Sequence, residues 1–219
     1  MSDQRVYPGD AGSAWYLVRH GETDWNREGR IQGQSDVPLS RQGEVQASSL
    51  GQRLAGVSFS AVYASDLTRC METARLVVGE SGPEVVAVPE LREVAYGEWE
   101  GLTFAEVEAR DPAGFAERVV RRDERYSPPG GERVGEVVDR VRRFHDSVRA
   151  RHGSGEQVLV VGHGGSLTAL LVCLLDLPTE SLLRFRLRPS GLSMVRTFDD
   201  GAVLESWNET GHLAMEEGG

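Results

Sequence analysis

At 219 residues, 39% hydrophobic and 26% charged, the chain suits one domain with a sizeable core and is neither disordered nor fibrous in composition. Its 34 acidic and 24 basic residues give a formal net charge of −10, which excludes broad electrostatic attraction to nucleic acid or an anionic membrane and requires any anionic ligand to be held locally. Every basic residue is arginine, so phosphate binding by a P-loop lysine and lysine Schiff-base chemistry are excluded as well.

In chain order, residues 1–14 are polar, with Asp, Pro and Gly, and predict a flexible tail without a secretory signal; a single domain over 15–219 follows. Trp15–Val18 reads as a buried strand, Glu44–Leu54 as a helix behind a Ser40 N-cap, and Ala61–Ala64 as a second strand. Leu67–Val78 carries helical apolar spacing, and Glu84–Val88 reads as a third strand. The rhythm then breaks. From Trp99 to Arg151 three helical stretches occur with no strand between them, which predicts a small helical lid insertion over about 99–151. Thr103 and Glu106 have capping-box spacing, Pro112 can begin a second helix, and a long amphipathic helix runs from Val134 to Val148 behind Pro128-Pro129-Gly130-Gly131. Ten arginines face seven acids between Glu117 and Arg151, where His145 and His152 read as exposed surface residues.

Val158–Val161 is a fourth buried strand, and Leu192–Phe198 with Ala202–Trp207 flank the turn signal Asp199-Asp200-Gly201 of a terminal hairpin. The alternation predicts an α/β fold, three-layer α/β/α with a mostly parallel central sheet. The longest apolar run, Leu167–Leu175, is far below membrane-spanning length. Cys70 and Cys173 each fall in a helix without CxxC or metal-ligand spacing, which fits a reduced, cytoplasmic chain.

Ligands of open α/β sheets bind beyond the carboxyl ends of the strands, so the strand exits carry the functional reading. The first strand leaves through Arg19-His20-Gly21-Glu22, the second through Ser65 to Arg69, the third through Glu90-Leu91-Arg92-Glu93 and the fourth through Gly162-His163-Gly164-Gly165. Two guanidinium groups, Arg19 and Arg69, suit a phosphoryl group through paired charge-assisted hydrogen bonds. Gly164, Gly165 and Ser166 open a helix whose N–H groups suit an anion. With no lysine, serine elbow or reactive thiol loop, the nucleophile is expected to be the imidazole of His20. His163 then stabilises the transferring group and Glu93 moves protons to the leaving oxygen and from water. No metal is expected, because the histidines come from separate strand ends and neighbouring arginines oppose a cation.

The run Leu17-Val18-Arg19-His20-Gly21-Glu22-Thr23-Asp24-Trp25-Asn26 resembles the signature of the histidine phosphatase superfamily, whose fold is phosphoglycerate mutase-like. Gln32-Gly33, Pro38-Leu39-Ser40, Tyr63 to Arg69, Glu72-Thr73-Ala74, Leu91-Arg92-Glu93 with Gly97-Trp99-Glu100-Gly101, and Gly162 to Gly165 continue the similarity. The resemblance implies that His20 is phosphorylated, that Arg19, Arg69 and His163 complete the phosphate pocket, that Glu93 is the proton donor, and that Asn26, Gln32 and Gly33 line the site. It further implies a metal-independent phosphoric monoester hydrolase acting without a cofactor on a small phosphorylated metabolite, and it is compatible with a homodimer. Related mutases tend to carry a longer insertion than the 70 positions between Glu93 and His163, and Gly130-Gly131-Glu132 resembles a segment of the phosphatase branch, with Arg133 where Ser is usual. A cofactor-dependent phosphoglycerate mutase and a non-catalytic phospho-ligand-binding module are the alternatives. Arg121 and Arg122, on the expected lid, are the candidates for a substrate carboxylate or second phosphate.

Overall fold

The computed structural model of the chain describes residues 12–216. In order they form β1 (Ser13–Arg19), α1 (Asp24–Arg27), α2 (Arg41–Arg53), β2 (Ala61–Ala64), α3 (Thr68–Val78), β3 (Val85–Ala87), α4 (Phe104–Arg110), α5 (Pro112–Phe115), α6 (Val134–Arg149), β4 (Gln157–Gly162), α7 (Gly164–Leu174), β5 (Leu192–Phe198) and β6 (Gly201–Glu209), with 3-10 and π turns in some of the connections. The sheet order is β3-β2-β4-β1-β5-β6. β1 to β4 are mutually parallel, while β5 runs antiparallel to β1 and β6 antiparallel to β5. The register sets Arg19 beside Gly162, and Ala64 beside both Val161 and Ala87, so four chain exits share one edge of the sheet.

The layers follow from strands that are apolar on both faces. Successive residues of β1 and β4 point to opposite sides: Trp15, Leu17, Val158 and Val160 enter one core, Tyr16, Val18, Leu159 and Val161 the other. α2 and α3 cover the second face with Leu50, Cys70, Ala74 and Val77. α6 and α7 cover the first, and α7 is buried at nearly every position because it is apolar all round. A third, smaller cluster of Ile31, Trp99 and Val107, joined by Tyr96, Phe115 and Tyr126, builds a cap beside the sheet edge. No helix among the described residues is long and apolar enough to cross a membrane.

Three differences from the sequence reading have physical causes. Ser13 and Ala14 belong to β1 and are buried, so the strand reaches into the expected 1–14 tail, whose residues 1–11 lie outside the described part. α6, read as lid, is instead a structural layer: its valines and Phe144 enter the main core, and it packs along α7. The part of the 99–151 segment that belongs to the cap is thus the part that precedes α6, packed together with Ile31 and Tyr96. His145 and His152 are not surface residues. His145 is 5% exposed on the inner side of α6, and His152 binds the Tyr63 hydroxyl at 3.0 Å and the Glu156 carboxylate at 2.8 Å. Cys70 and Cys173 are buried free thiols.

Candidate active site

The loop that carries the candidate nucleophile His20 leaves β1 at Arg19 and is fixed at once, since the His20 amide donates to the Gly162 carbonyl of β4 at 3.0 Å. Gly21 and Gly43 bring the loop and α2 into backbone contact, where a Cβ on either would collide with the other segment. The Gly21 amide donates to the Thr73 hydroxyl at 3.0 Å and the Glu22 amide to Gln46 at 3.0 Å, so α2 and α3 both hold the turn. The ring of His20 is 2% exposed and its Nδ1 lies 2.7 Å from the Gly21 carbonyl. A carbonyl only accepts, so Nδ1 carries the hydrogen and Nε2 keeps its lone pair. Burial, followed by the Arg19 and Arg69 guanidiniums, holds this imidazole well below its ordinary pKa, and the neutral form is the resident one.

His163 lies next to it, with ring centroids 5.1 Å apart. Arg69 Nε, which only donates, approaches His163 Nδ1 at 3.3 Å, so His163 carries its hydrogen on Nε2 and donates to the Ser65 hydroxyl at 3.0 Å. Burial, then Arg69, keeps this ring neutral too. Arg69 is fully buried at the start of α3, and it also donates to the carbonyls of Ser35 at 2.7 Å and Gly33 at 2.8 Å. Gly33 adopts φ +54°, and any side chain there would strike the Glu100 carboxylate. Arg19 reaches the Leu187 carbonyl at 2.5 Å, while its Nε is buried without a partner.

Glu93 sits at the mouth of α7. Its Oε1 accepts from the amides of Gly165 and Val94, both at 2.9 Å. A Cβ at position 165 would collide with this carboxylate, so glycine is what lets Glu93 approach. The α7 amide expected to meet an anion is therefore taken by a protein carboxylate. Asn26 spends its Oδ1 on the amide and hydroxyl of Thr23, bracing the turn into α1. Gln32 is buried with its Oε1 unpartnered.

The family model described as histidine phosphatase superfamily (branch 1) matches residues 15–210. The chain belongs to the histidine phosphatase superfamily. It is 34% identical over 200 residues to the metal-independent phosphoserine phosphatase of Arabidopsis thaliana, covering 90% of this chain and 82% of that one. It is 36% identical over 205 residues to a protein of Yersinia enterocolitica named "Probable phosphoglycerate mutase GpmB", covering 91% and 94%. The crystal structure of the α-ribazole phosphatase from Shigella flexneri superposes with a TM-score of 0.82 at 31% identity, covering 90% and 96%.

In this histidine phosphatase the four strand exits bring Arg19, His20, Arg69, Glu93 and His163 to one edge of the sheet. Arg121 and Arg122 are not part of that group. Both are exposed, and Arg121 pairs with Glu117 on its own turn. The buried arginine of the cap is Arg118, 9% exposed, close enough to Tyr96 to act on its phenol and with Nη1 lacking a partner. Tyr96 in turn feels the Glu93 carboxylate, which adds to burial in pushing its phenol up. The residue-type reading missed Arg118, Tyr96 and Ser65 as individual contacts, since only depth marks them. Glu100 was legible only as part of a Trp-Glu-Gly motif, yet its carboxylate ties the amides of Gln34, Ser35 and Tyr96 together at 2.9–3.0 Å.

The two neutral histidines make folding pH-dependent. Unfolded imidazoles take up a proton near 6.5, while the folded rings resist protonation. Below that pH the unfolded chain binds more protons, so stability is full above about 6.5 and is lost as pH falls through the depressed folded values. Melting temperature is expected to drop on acidification from pH 7 to 5, with each histidine contributing at most about 1.4 kcal/mol per pH unit. A His20→Asn variant should show a shallower fall. An identical slope would mean that His20 takes up its proton in the fold as readily as in the unfolded chain.

Proposed function

We propose that this histidine phosphatase hydrolyses small phosphomonoesters that carry a second anionic group, through a phosphohistidine at Nε2 of His20. The carrying observation is the tautomer: Nδ1–H is committed to the Gly21 carbonyl, which leaves one lone pair in a ring that burial, and then Arg19 and Arg69, hold neutral. That lone pair forms the N–P bond while the ester P–O bond breaks. Arg19 and Arg69 bear the equatorial charge, and Glu93 gives its proton to the leaving oxygen. The ionised Glu93 then takes a proton from water, the new P–O bond forms, the P–N bond breaks, and the imidazole returns to its starting tautomer.

Support for the second anionic group comes from Arg118. A guanidinium nine-tenths buried with an open N–H, next to a tyrosine that is itself close to Glu93, suits a carboxylate or second phosphate on the alcohol side of the ester. Phosphoserine, the substrate in the Arabidopsis relative's name, has such a carboxylate. Phosphate release from a panel of phosphorylated metabolites, with p-nitrophenyl phosphate as reference, tests the reading. Acidic esters are expected to lead. Absence of turnover on every ester would refute hydrolysis, and faster interconversion of 2- and 3-phosphoglycerate than phosphate release would replace it by mutase chemistry. Arg118→Met is expected to raise KM for the best acidic ester about 10- to 100-fold, the worth of a charged hydrogen bond, and to leave KM for p-nitrophenyl phosphate within about twofold. Equal changes in both would remove Arg118 from the substrate site.

A further inference from the structure

Arg140 lies on α6, a helix the chemistry above does not use, yet it is only 8% exposed. A guanidinium has five N–H donors, and every one of them here has a partner. Nη1 donates to the carbonyls of Glu90 at 2.6 Å and Arg92 at 2.7 Å. Nη2 donates to the Glu93 carbonyl at 2.9 Å and to Glu132 Oε2 at 3.0 Å, and Nε donates to Glu132 Oε1 at 2.9 Å. Glu132 also accepts the Ala95 amide at 2.8 Å, and its own amide donates to the Ala95 carbonyl at 2.8 Å.

The bonded carbonyls have a particular relation to Glu93. The Arg92 carbonyl belongs to the peptide plane before the Glu93 Cα, and the Glu93 carbonyl to the plane after it. Fixing both planes fixes φ and ψ at that residue, and with them the direction of its Cα–Cβ bond. Such control matters for a general acid, because proton transfer requires hydrogen-bond reach of the leaving oxygen.

We propose that Arg140, held by Glu132, is a positioning residue that aims Glu93 at the leaving-group oxygen. The inference rests on the phosphatase reading and adds to it a role for a helix on the far side of the acid loop. Lysine cannot substitute: it has three donors on a flexible stem and cannot hold three carbonyls and a carboxylate in one plane.

The test compares kcat/KM, which covers the steps through phosphohistidine formation, on two substrates. Nitrophenolate leaves without a proton, whereas an alkyl alcohol such as that of glycerol phosphate needs one. Arg140→Lys is expected to lower kcat/KM on the alkyl ester by about 100-fold or more and on p-nitrophenyl phosphate by no more than about threefold. Glu93→Gln should show the same split, and the double variant should show no larger one, because the two act as a unit. Glu132→Gln, which leaves the carbonyl bonds of Arg140 in place, should show the split in weaker form and guards against misfolding of the arginine variant. Equal losses on both esters in a variant with native melting temperature, or additive splits in the double variant, would overturn the proposal.

A second measurement does not depend on turnover. The Gly165 amide is capped by Glu93. Its hydrogen exchange, read by NMR, should accelerate in Arg140→Lys as it does in Glu93→Gln, and unchanged protection in the arginine variant would refute the aiming role even if the phosphatase reading fails.

Discussion

Replacing His20 by alanine should abolish the acid-labile phosphoenzyme and lower turnover by at least about four orders of magnitude, the scale on which removal of a covalent nucleophile acts. The cause is local. The Gly21 carbonyl commits one ring nitrogen to donation, and burial, followed by the guanidiniums of Arg19 and Arg69, disfavours protonation of the other. The nucleophile is therefore ready without a separate base, and the acid limb of the pH profile of kcat/KM should lie below 6.5. Trapping with a labelled ester and acid quench reads the intermediate directly. A normal yield of acid-labile phosphoenzyme in His20→Ala would place the covalent step on another side chain.

Substitution of Arg69 should rank second. Its guanidinium donates at once to His163 and to the carbonyls of Gly33 and Ser35, so in the proposed reaction it would both supply charge to the transferring group and set the loop beside it. Loss of one preorganised donor of this kind costs about 100- to 1000-fold in kcat. Arg69→Ala is expected at or beyond the upper end, because the buried Gly33 carbonyl and the half-buried Ser35 carbonyl lose their partner as well. Arg69→Lys keeps the charge but not the planar fork, and should recover only a small part of the loss. Single-turnover phosphate release checks both variants. Near-native rates in Arg69→Ala would show that the transferring group is held elsewhere.

The fold was readable because its strands are short apolar runs punctuated by turns, and because the catalytic types sit where those runs stop. His20 follows β1 and His163 follows β4, and parallel strands bring such exits together however far apart they are in sequence. Depth was not readable on α6. Its arginines repeat among valines, and a period alone does not tell Arg140, which points inward to the acid loop, from Arg142 or Arg143, which are exposed. The same ambiguity hid His145. Arg118 was missed for another reason: the cap departs from regular α-helix in a π turn over Ala116–Val120, which shifts the buried position away from the Arg121-Arg122 pair. Such a bulge leaves no mark in composition.

One detail of the register bears on how such an enzyme diversifies. Arg19 and Gly162 are laid side by side by backbone pairing, and the rings that follow them stand 5.1 Å apart, close to the spacing of about 4.8 Å between neighbouring strands. The gap between His20 and His163 is thus measured out by the main chain, a ruler that side-chain drift cannot stretch. On the proposed chemistry, substitutions in the cap would retune which alcohol is accepted while His20 and His163 keep their alignment.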